Sequence, residues 1–279
     1  MLRRFFQLSP THMLLPYSRY KELMTLRGSL DLQGIYSMGL RLFKDRDYRD
    51  LQMWYNLTWC GNTLRRDPEV AAFFEKGRDF TEADKKRLLE IQHSFISRII
   101  PFYKSLLDAK TVELSVSPYY HPIVPLLCDL KSAREALPLI PLPSTPFAFP
   151  EDARQHITRA QQAFAKTFGC SAHGMWPAEG AVSDDTLMLA QQENIKWLAT
   201  DEAVLWNSIQ KKEVRENLPL ELEGRFCAYC WGNTQTGPFL FFRDHALSDL
   251  LGFTYHQWSA EDAVADFVRR LLNIHESLP

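Results

Sequence analysis

The sequence predicts an α/β fold built on a largely parallel sheet, and two observations carry that prediction. From residue 81 onward, short apolar runs of strand character alternate with segments of helical periodicity. Those runs end on polar or ionisable residues, which suggests a barrel whose chemistry gathers at the carboxyl ends of its strands. Three positions sit at such ends: His121 after TVELSVS, Glu179 after the segment reaching Trp176, and Asp244 after FLFF.

The elements follow in order. Residues 1–50 mix apolar clusters and charges without a sustained period, so they carry no assignment. Thr81 caps a predicted helix in which Leu88, Leu89, Ile91, Phe95, Ile96 and Ile99 recur at helical spacing, and Pro101 kinks or ends it. In TVELSVS, Val112, Leu114 and Val116 alternate with polar residues as in a half-buried strand, until SPYYHP breaks the pattern. Five prolines between Leu137 and Pro150 predict a surface loop at the margin of a cleft. A helix from about Glu151 to Phe168 stops at Gly169. Ser183 caps DDTLMLAQQEN, whose two leading aspartates suit a helix N-terminus. IKWLAT reads as a buried strand and Gly237-Pro238 introduces the strand FLFF. A last helix starts at Ser259 with Val264, Phe267, Val268, Leu271 and Leu272 on one face.

Composition narrows the function classes. With 279 residues, 46% hydrophobic and 24% charged, the chain can bury one large core or two modest ones. A formal charge of −2 provides no field to recruit nucleic acid or an anionic membrane, and a neutral substrate suits it. No run reaches the roughly 18 apolar residues of a membrane span. The opening MLRRFFQLSPTHMLLP has the arginines of a signal peptide without its apolar stretch. Five scattered cysteines point to reduced thiols in the cytoplasm. Cys227 and Cys230 form a C-x-x-C with no second ligand pair to complete a zinc site. Oligomeric state leaves no trace in the sequence.

Cleavage of a glycosidic bond needs a carboxylate on one face of the ring and a carboxylic acid beside the departing oxygen. Glu179 in WPAEG occupies a strand-to-helix turn, where it is either that carboxylate or a solvated turn residue. Asp244 follows Arg243, and a plain ion pair is the alternative to an acid/base role. If FLFFRD stays extended, however, Phe242 and Asp244 share a face and Arg243 points away. An acid/base aspartate must hold its proton near neutral pH, a bias of about 3 kcal/mol that an apolar wall helps to supply. Phe241 and Phe242 make such a wall. His121 is either a satisfied structural histidine or a donor to sugar hydroxyls, as Tyr119 or Tyr120 is. Trp176 either stacks on a sugar ring or fills core.

The segments SPYYHPIVPLLCD (117–129), GMWPAEGAVS (174–183), IKWLATDEAVL (195–205) and FFRDHALSDLLGF (241–253) follow one another in an order that resembles glycoside hydrolase family 57. MWYNLTWCG (53–61) is similar to the family's segment upstream of the histidine motif. The resemblance implies a retaining enzyme on an incomplete (β/α)7 barrel that acts on α-glucans such as starch or glycogen-like polymers. The family includes α-amylases, amylopullulanases, branching enzymes and 4-α-glucanotransferases. Glu179 then matches the nucleophile of W-x-x-E, and Asp244 the acid/base of F-R-D. His121 matches a histidine that contacts the sugar at the cleavage point, and Trp176 the aromatic of the nucleophile motif. Tyr120, Asp201 and Asp249 complete the expected substrate-binding set, and no metal or organic cofactor is implied. Residues 51–279 become a partial catalytic barrel, behind an N-terminal segment of residues 1–50.

Family members open on a strand with a His-Gln-Pro motif, which this sequence lacks, and run past the fourth motif into helices bearing a fifth, acidic and aromatic one. The expectation is therefore a fragment, or a divergent member without one barrel strand and one wall of the cleft. A noncatalytic glucan-binding or truncated inactive domain is the resulting alternative. A metal-dependent polysaccharide deacetylase is more remote. Ser183-Asp184-Asp185 is similar to its acidic motif, but those residues open a helix and no H-x-x-x-H pair follows.

Overall fold

The computed structural model describes residues 1–28, 40–209, 224, 226–233 and 235–278, which divide into two compact units, Met1–Ser105 and Leu106–Pro279. In the first unit, helices α1 (Ser18–Arg27), α2 (Asp45–Thr58), α3 (Pro68–Lys76) and α4 (Glu82–Ser97) enclose a core that includes Tyr20, Leu23, Leu51, Trp54, Val70 and Phe80. The buried positions of α1 explain why its pattern is unreadable in sequence, because Arg19 lies inside beside Tyr20 and Leu23. Its guanidinium is held by Asp47 at 2.5 Å and Asp50 at 2.8 Å from α2. Asp50 also accepts the Phe80 N–H at 3.0 Å, so one carboxylate ties α1, α2 and the approach to α4.

Local capping chemistry sets the start of α4. The Thr81 side chain accepts the Asp84 N–H while Asp84 reaches back to the Thr81 N–H. Of its predicted apolar stripe, Leu88 and Ile91 are buried whereas Leu89 and Ile96 are exposed. The helix breaks at Arg98, before Pro101, which falls in the first turn of α5 (Ile99–Asp108). A proline ring clashes with the carbonyl four residues back, which here is Ser97, so a break at that point is the expected consequence.

The second unit carries the sheet. Its strands are β1 (Ser115–Val116), β2 (Gly174–Met175), β3 (Trp197–Asp201), β4 (Tyr229–Cys230) and β5 (Phe239–Arg243), in spatial order β1-β2-β3-β5-β4. The first four neighbours run parallel and β4 is antiparallel to β5. Between them lie α6 (Val124–Cys128), α7 (Pro150–Phe168), α8 (Asp184–Gln192) and α9 (Glu202–Ile209), followed after β5 by α10 (His245–Asp249) and α11 (Ala260–Ser277). Helices alternating with parallel strands give the expected α/β class, with four of the five described strands parallel in one open sheet. TVELSVS yields only the two residues of β1, and Val112 is exposed.

Burial alternates along β3 as a strand demands: Leu198 and Thr200 are buried, while Trp197, Ala199 and Asp201 lie on the other, half-buried face. Leu198 joins Val116, Ile157, Phe164, Met175 and Leu187 in the core, each such apolar burial contributing about 1.5–3 kcal/mol. Gly174 is required by a neighbour, since a Cβ there would stand 2.1 Å from the Trp197 ring. The predicted caps form: Ser183 accepts the Thr186 N–H, Gly169 ends α7 in a left-handed turn at φ 81°, and Ser259 accepts the Asp262 N–H. The apolar face of α11 departs from expectation, since Val264, Val268, Leu271 and Leu272 are all exposed. Among the described residues no helix is long and apolar enough to cross a membrane.

Candidate active site

Parallel strands in register align their carboxyl ends along one edge of the sheet, and the sequence-predicted residues follow those ends. After β1, Pro118 accepts the His121 N–H at 2.8 Å in a tight turn, with Tyr120 and His121 in left-handed conformations at φ 66° and 56°. After β2, the Trp176 N–H extends the ladder to the Val116 carbonyl at 2.8 Å. Pro177-Ala178 then leads into Glu179 at φ 56° and Gly180 at φ 67°. The buried Thr200 hydroxyl of β3 donates to the Gly180 carbonyl and fixes this turn from below.

A left-handed backbone costs a residue with a Cβ about 1–2 kcal/mol. Such strain persists only where surroundings impose it, and it concentrates at functional sites. Six non-glycine residues among those described have positive φ, and three of them are Tyr120, His121 and Glu179. The two turns meet: His121 Nε2 lies 3.2 Å from Glu179 Oε1. Both side chains remain open to solvent, at 55% and 71% exposure. Tyr120 is also exposed, its ring edge-on to Tyr119, while Trp176 is half-buried.

Asp244 follows β5 and caps α10, its Oδ1 accepting the Leu247 N–H at 2.8 Å. Arg243 turns instead to Asp201, with Nε 2.8 Å from Oδ2. Phe241 packs edge-on against Trp197, and Phe242 against Tyr229. Asp201 ends β3, and its Oδ2 also lies 2.9 Å from His245 Nδ1, while Oδ1 accepts the Ala203 N–H at 2.9 Å. Partial burial opposes the charge on Asp201, but the Ala203 N–H, His245 and Arg243 outweigh it and hold the carboxyl below the usual carboxylate range. The His245 imidazole is pushed above its ordinary value by its bond to Asp201, then by the charges of Asp201 and Asp249. Asp249 Oδ2 lies 3.2 Å from His245 Nε2, one helical turn on.

The edge thus holds two groups, His121 with Glu179 and Asp201 with Arg243, His245 and Asp249. Asp244 stands between two members of the second. Glu179 and Asp244 leave the sheet on either side of β3, so their strands are about 10 Å apart at a spacing of roughly 4.8 Å per strand. The sequence alone offers Arg243 only as a partner for Asp244 and gives His245 no role. The local signal was their position on each side of Asp244, but the partner that engages both lies more than forty residues upstream. Among the described residues, no three His, Cys, Asp or Glu side chains gather in a metal-binding arrangement. Asp184 of the Ser183-Asp184-Asp185 segment accepts the Trp231 indole N–H at 2.8 Å. A cleft of about 410 Å³ opens at the opposite edge, beside Glu113, His173 and Lys196 near the strand starts. It offers no paired carboxylates, and the strand-end rule favours the other edge.

Comparison with known proteins supplies the context. Similarity extends to the crystal structures of a novel α-amylase, AmyC, from Thermotoga maritima (TM-score 0.43, 17% identity, 74% of this chain and 35% of that one) and of a 4-α-glucanotransferase from Thermococcus litoralis (0.39, 20%, 60% and 21%). A GH57-type branching enzyme from the hyperthermophilic archaeon Pyrococcus horikoshii is similar at TM-score 0.39 and 14% identity, over 73% of this chain and 35% of that one. The chain therefore spans about a third or less of the length of these proteins. No curated protein matches the sequence. The model of the family described as Glycosyl hydrolase family 57 matches residues 34–278, and with that span matched the chain belongs to this family.

Proposed function

We propose that the edge formed by the ends of β1, β2, β3 and β5 is the centre of a retaining glycosidase or transglycosidase acting on α-glucans of the starch or glycogen type. The observation that carries this reading is the Glu179 carboxylate, held exposed on a strained turn and touching His121 from the neighbouring strand end. In the first step Glu179 attacks the anomeric carbon while Asp244 protonates the departing oxygen. In the second, Asp244 removes a proton from water or from an acceptor sugar hydroxyl, which displaces Glu179. Water gives hydrolysis and a sugar gives transfer. His121 and Tyr120 are assigned to sugar hydroxyls, Trp176 to a sugar ring, and Asp249 to the acidic border of the site. A cytoplasmic setting suits the five free thiols.

Retention requires the two carboxyl groups to approach to about 5 to 5.5 Å in the working site. The direct test is trapping with a 5-fluoro-α-glucosyl fluoride, followed by peptide mass spectrometry. An adduct on Glu179, absent from Glu179→Gln, is the expected result. Adduct on another residue, or undiminished α-glucan turnover by Glu179→Gln, removes Glu179 from the mechanism. Glucan binding without product release would support the noncatalytic alternative.

A further inference from the structure

We infer that Asp201 is a positioning residue for Asp244, gripping the residues on both sides of it and thereby aiming the carboxyl between them. The inference rests on the reading of Asp244 as acid/base. Asp201 Oδ2 takes the Arg243 Nε at 2.8 Å and meets His245 Nδ1 at 2.9 Å, so the residues immediately before and after Asp244 are bound to one oxygen. The grip is itself oriented, because Oδ1 accepts the Ala203 N–H at 2.9 Å. Glu202 adds a hold on the backbone, accepting the His245 N–H at 2.9 Å, and Asp249 steadies the far side of the imidazole at 3.2 Å. Pairing of Asp201 with Arg243 in the β3–β5 register places these groups side by side.

With both oxygens engaged and the side chain only 17% exposed, Asp201 would have to surrender a bond to touch sugar directly. Its effect is therefore conveyed through residues 243–245. A carboxyl displaced by about 1 Å from its productive position costs on the order of 100-fold in rate.

A proton donor matters only when the leaving group needs a proton, and this separates aiming Asp244 from binding sugar. With α-maltosyl fluoride, the bond from Glu179 to the anomeric carbon forms as the C–F bond breaks and fluoride departs as the anion. The expected result for Asp201→Asn is a fall of about 100-fold in kcat/KM on maltoheptaose. The kcat/KM on the fluoride should stay near the wild-type value. Because the second step still needs the base, kcat on the fluoride should drop and be restored by azide, which bonds to the anomeric carbon as Glu179 leaves. A parallel loss on both donors with raised KM would show sugar contact, and no loss on either would show an idle residue. Both outcomes overturn the inference. His245→Gln, at a side chain 56% exposed, removes one grip without stranding a buried charge. It should show the same donor selectivity at smaller size, and keeps the test open should Asp201→Asn fail to fold. If the wild-type chain turns over neither donor, the glycosidase reading fails by itself. The grip is then judged from crystal structures of the wild type and the variants. Residues 243–245 displaced with the Glu179 turn unmoved support it, and unmoved residues refute it.

Discussion

Two clusters in this protein share one chemistry and differ in placement. In the first unit Arg19 lies between Asp47 and Asp50, and in the second Asp201 lies between Arg243 and His245. The first is almost wholly buried: Asp50 has no exposure and Asp47 and Arg19 have 10% or less. There burial costs Arg19 the most, yet the bonds to Asp50 and Asp47 outweigh it and raise its affinity for the proton. The second cluster is more open, with Arg243 36% and His245 56% exposed around a largely covered Asp201, so water screens its cations. Burial makes an ion pair a scaffold whose loss is strongly destabilising. At a more exposed strand end the same contacts add little stability, which leaves the orientation of neighbouring residues as their main effect.

The contrast breaks first on stability. Asp50→Ala takes one buried carboxylate from Arg19 and leaves the Phe80 N–H without its acceptor inside the first unit, and should cost about 3–5 kcal/mol. Asp201→Ala should cost less than about 1 kcal/mol, because its partners are solvated. Chemical denaturation followed by far-UV circular dichroism measures both, and equal losses would erase the distinction. The first cluster also predicts an acid limit. Burial works against the Asp47 charge, but the Lys44 N–H and Arg19 prevail and lower its carboxyl. Its stabilising contribution is therefore complete above the unfolded value of about 3.9 and is lost as pH falls through the lower folded value.

The turn beneath Glu179 sharpens the comparison at an intermediate size. Thr200 is fully buried, and Thr200→Val leaves the Gly180 carbonyl without the hydroxyl that holds it. The cost should be about 1–3 kcal/mol. If that hydroxyl holds the strained turn in place, turnover per folded molecule should fall as well, read from kcat on maltoheptaose normalised to the folded fraction.

Features specified within a few residues were legible in the sequence. Thr81, Ser183 and Ser259 cap helices through their own side chains, and Gly169 ends one because it tolerates φ 81°. The strands β3 and β5 follow from apolar runs with turn residues at their ends. Features set by distant partners were not legible. Residues 18–27 hide their helix because its inward side includes an arginine whose burial depends on the distant Asp47 and Asp50. The face of α11 reads as core in sequence and is exposed in the fold, since periodicity identifies a face without identifying what covers it. At the site, Glu179, His121 and Asp244 were singled out by turns and strand ends. Arg243 and His245 share a partner only because β3 brings Asp201 beside both.

The smallest expected effect lies with His245. Its bond to Asp201 and the charges of Asp201 and Asp249 raise its imidazole above the usual value of about 6.5. A raised folded value means that the charged form contributes stability below the unfolded value, and that this contribution disappears as pH rises through the folded one. The imidazole is more than half exposed, so the change should be slight in an unfolding experiment and clear in an NMR titration of its ring protons. Asp201→Asn should return the midpoint toward 6.5, and Asp249→Asn should do so by less, because Asp249 enters only as the third cause. A wild-type midpoint at or below the ordinary value would mean that Asp201 does not hold this imidazole in solution. In that case the open cluster would differ from the buried one in kind, and Asp244 would have to be aimed by its own cap to Leu247.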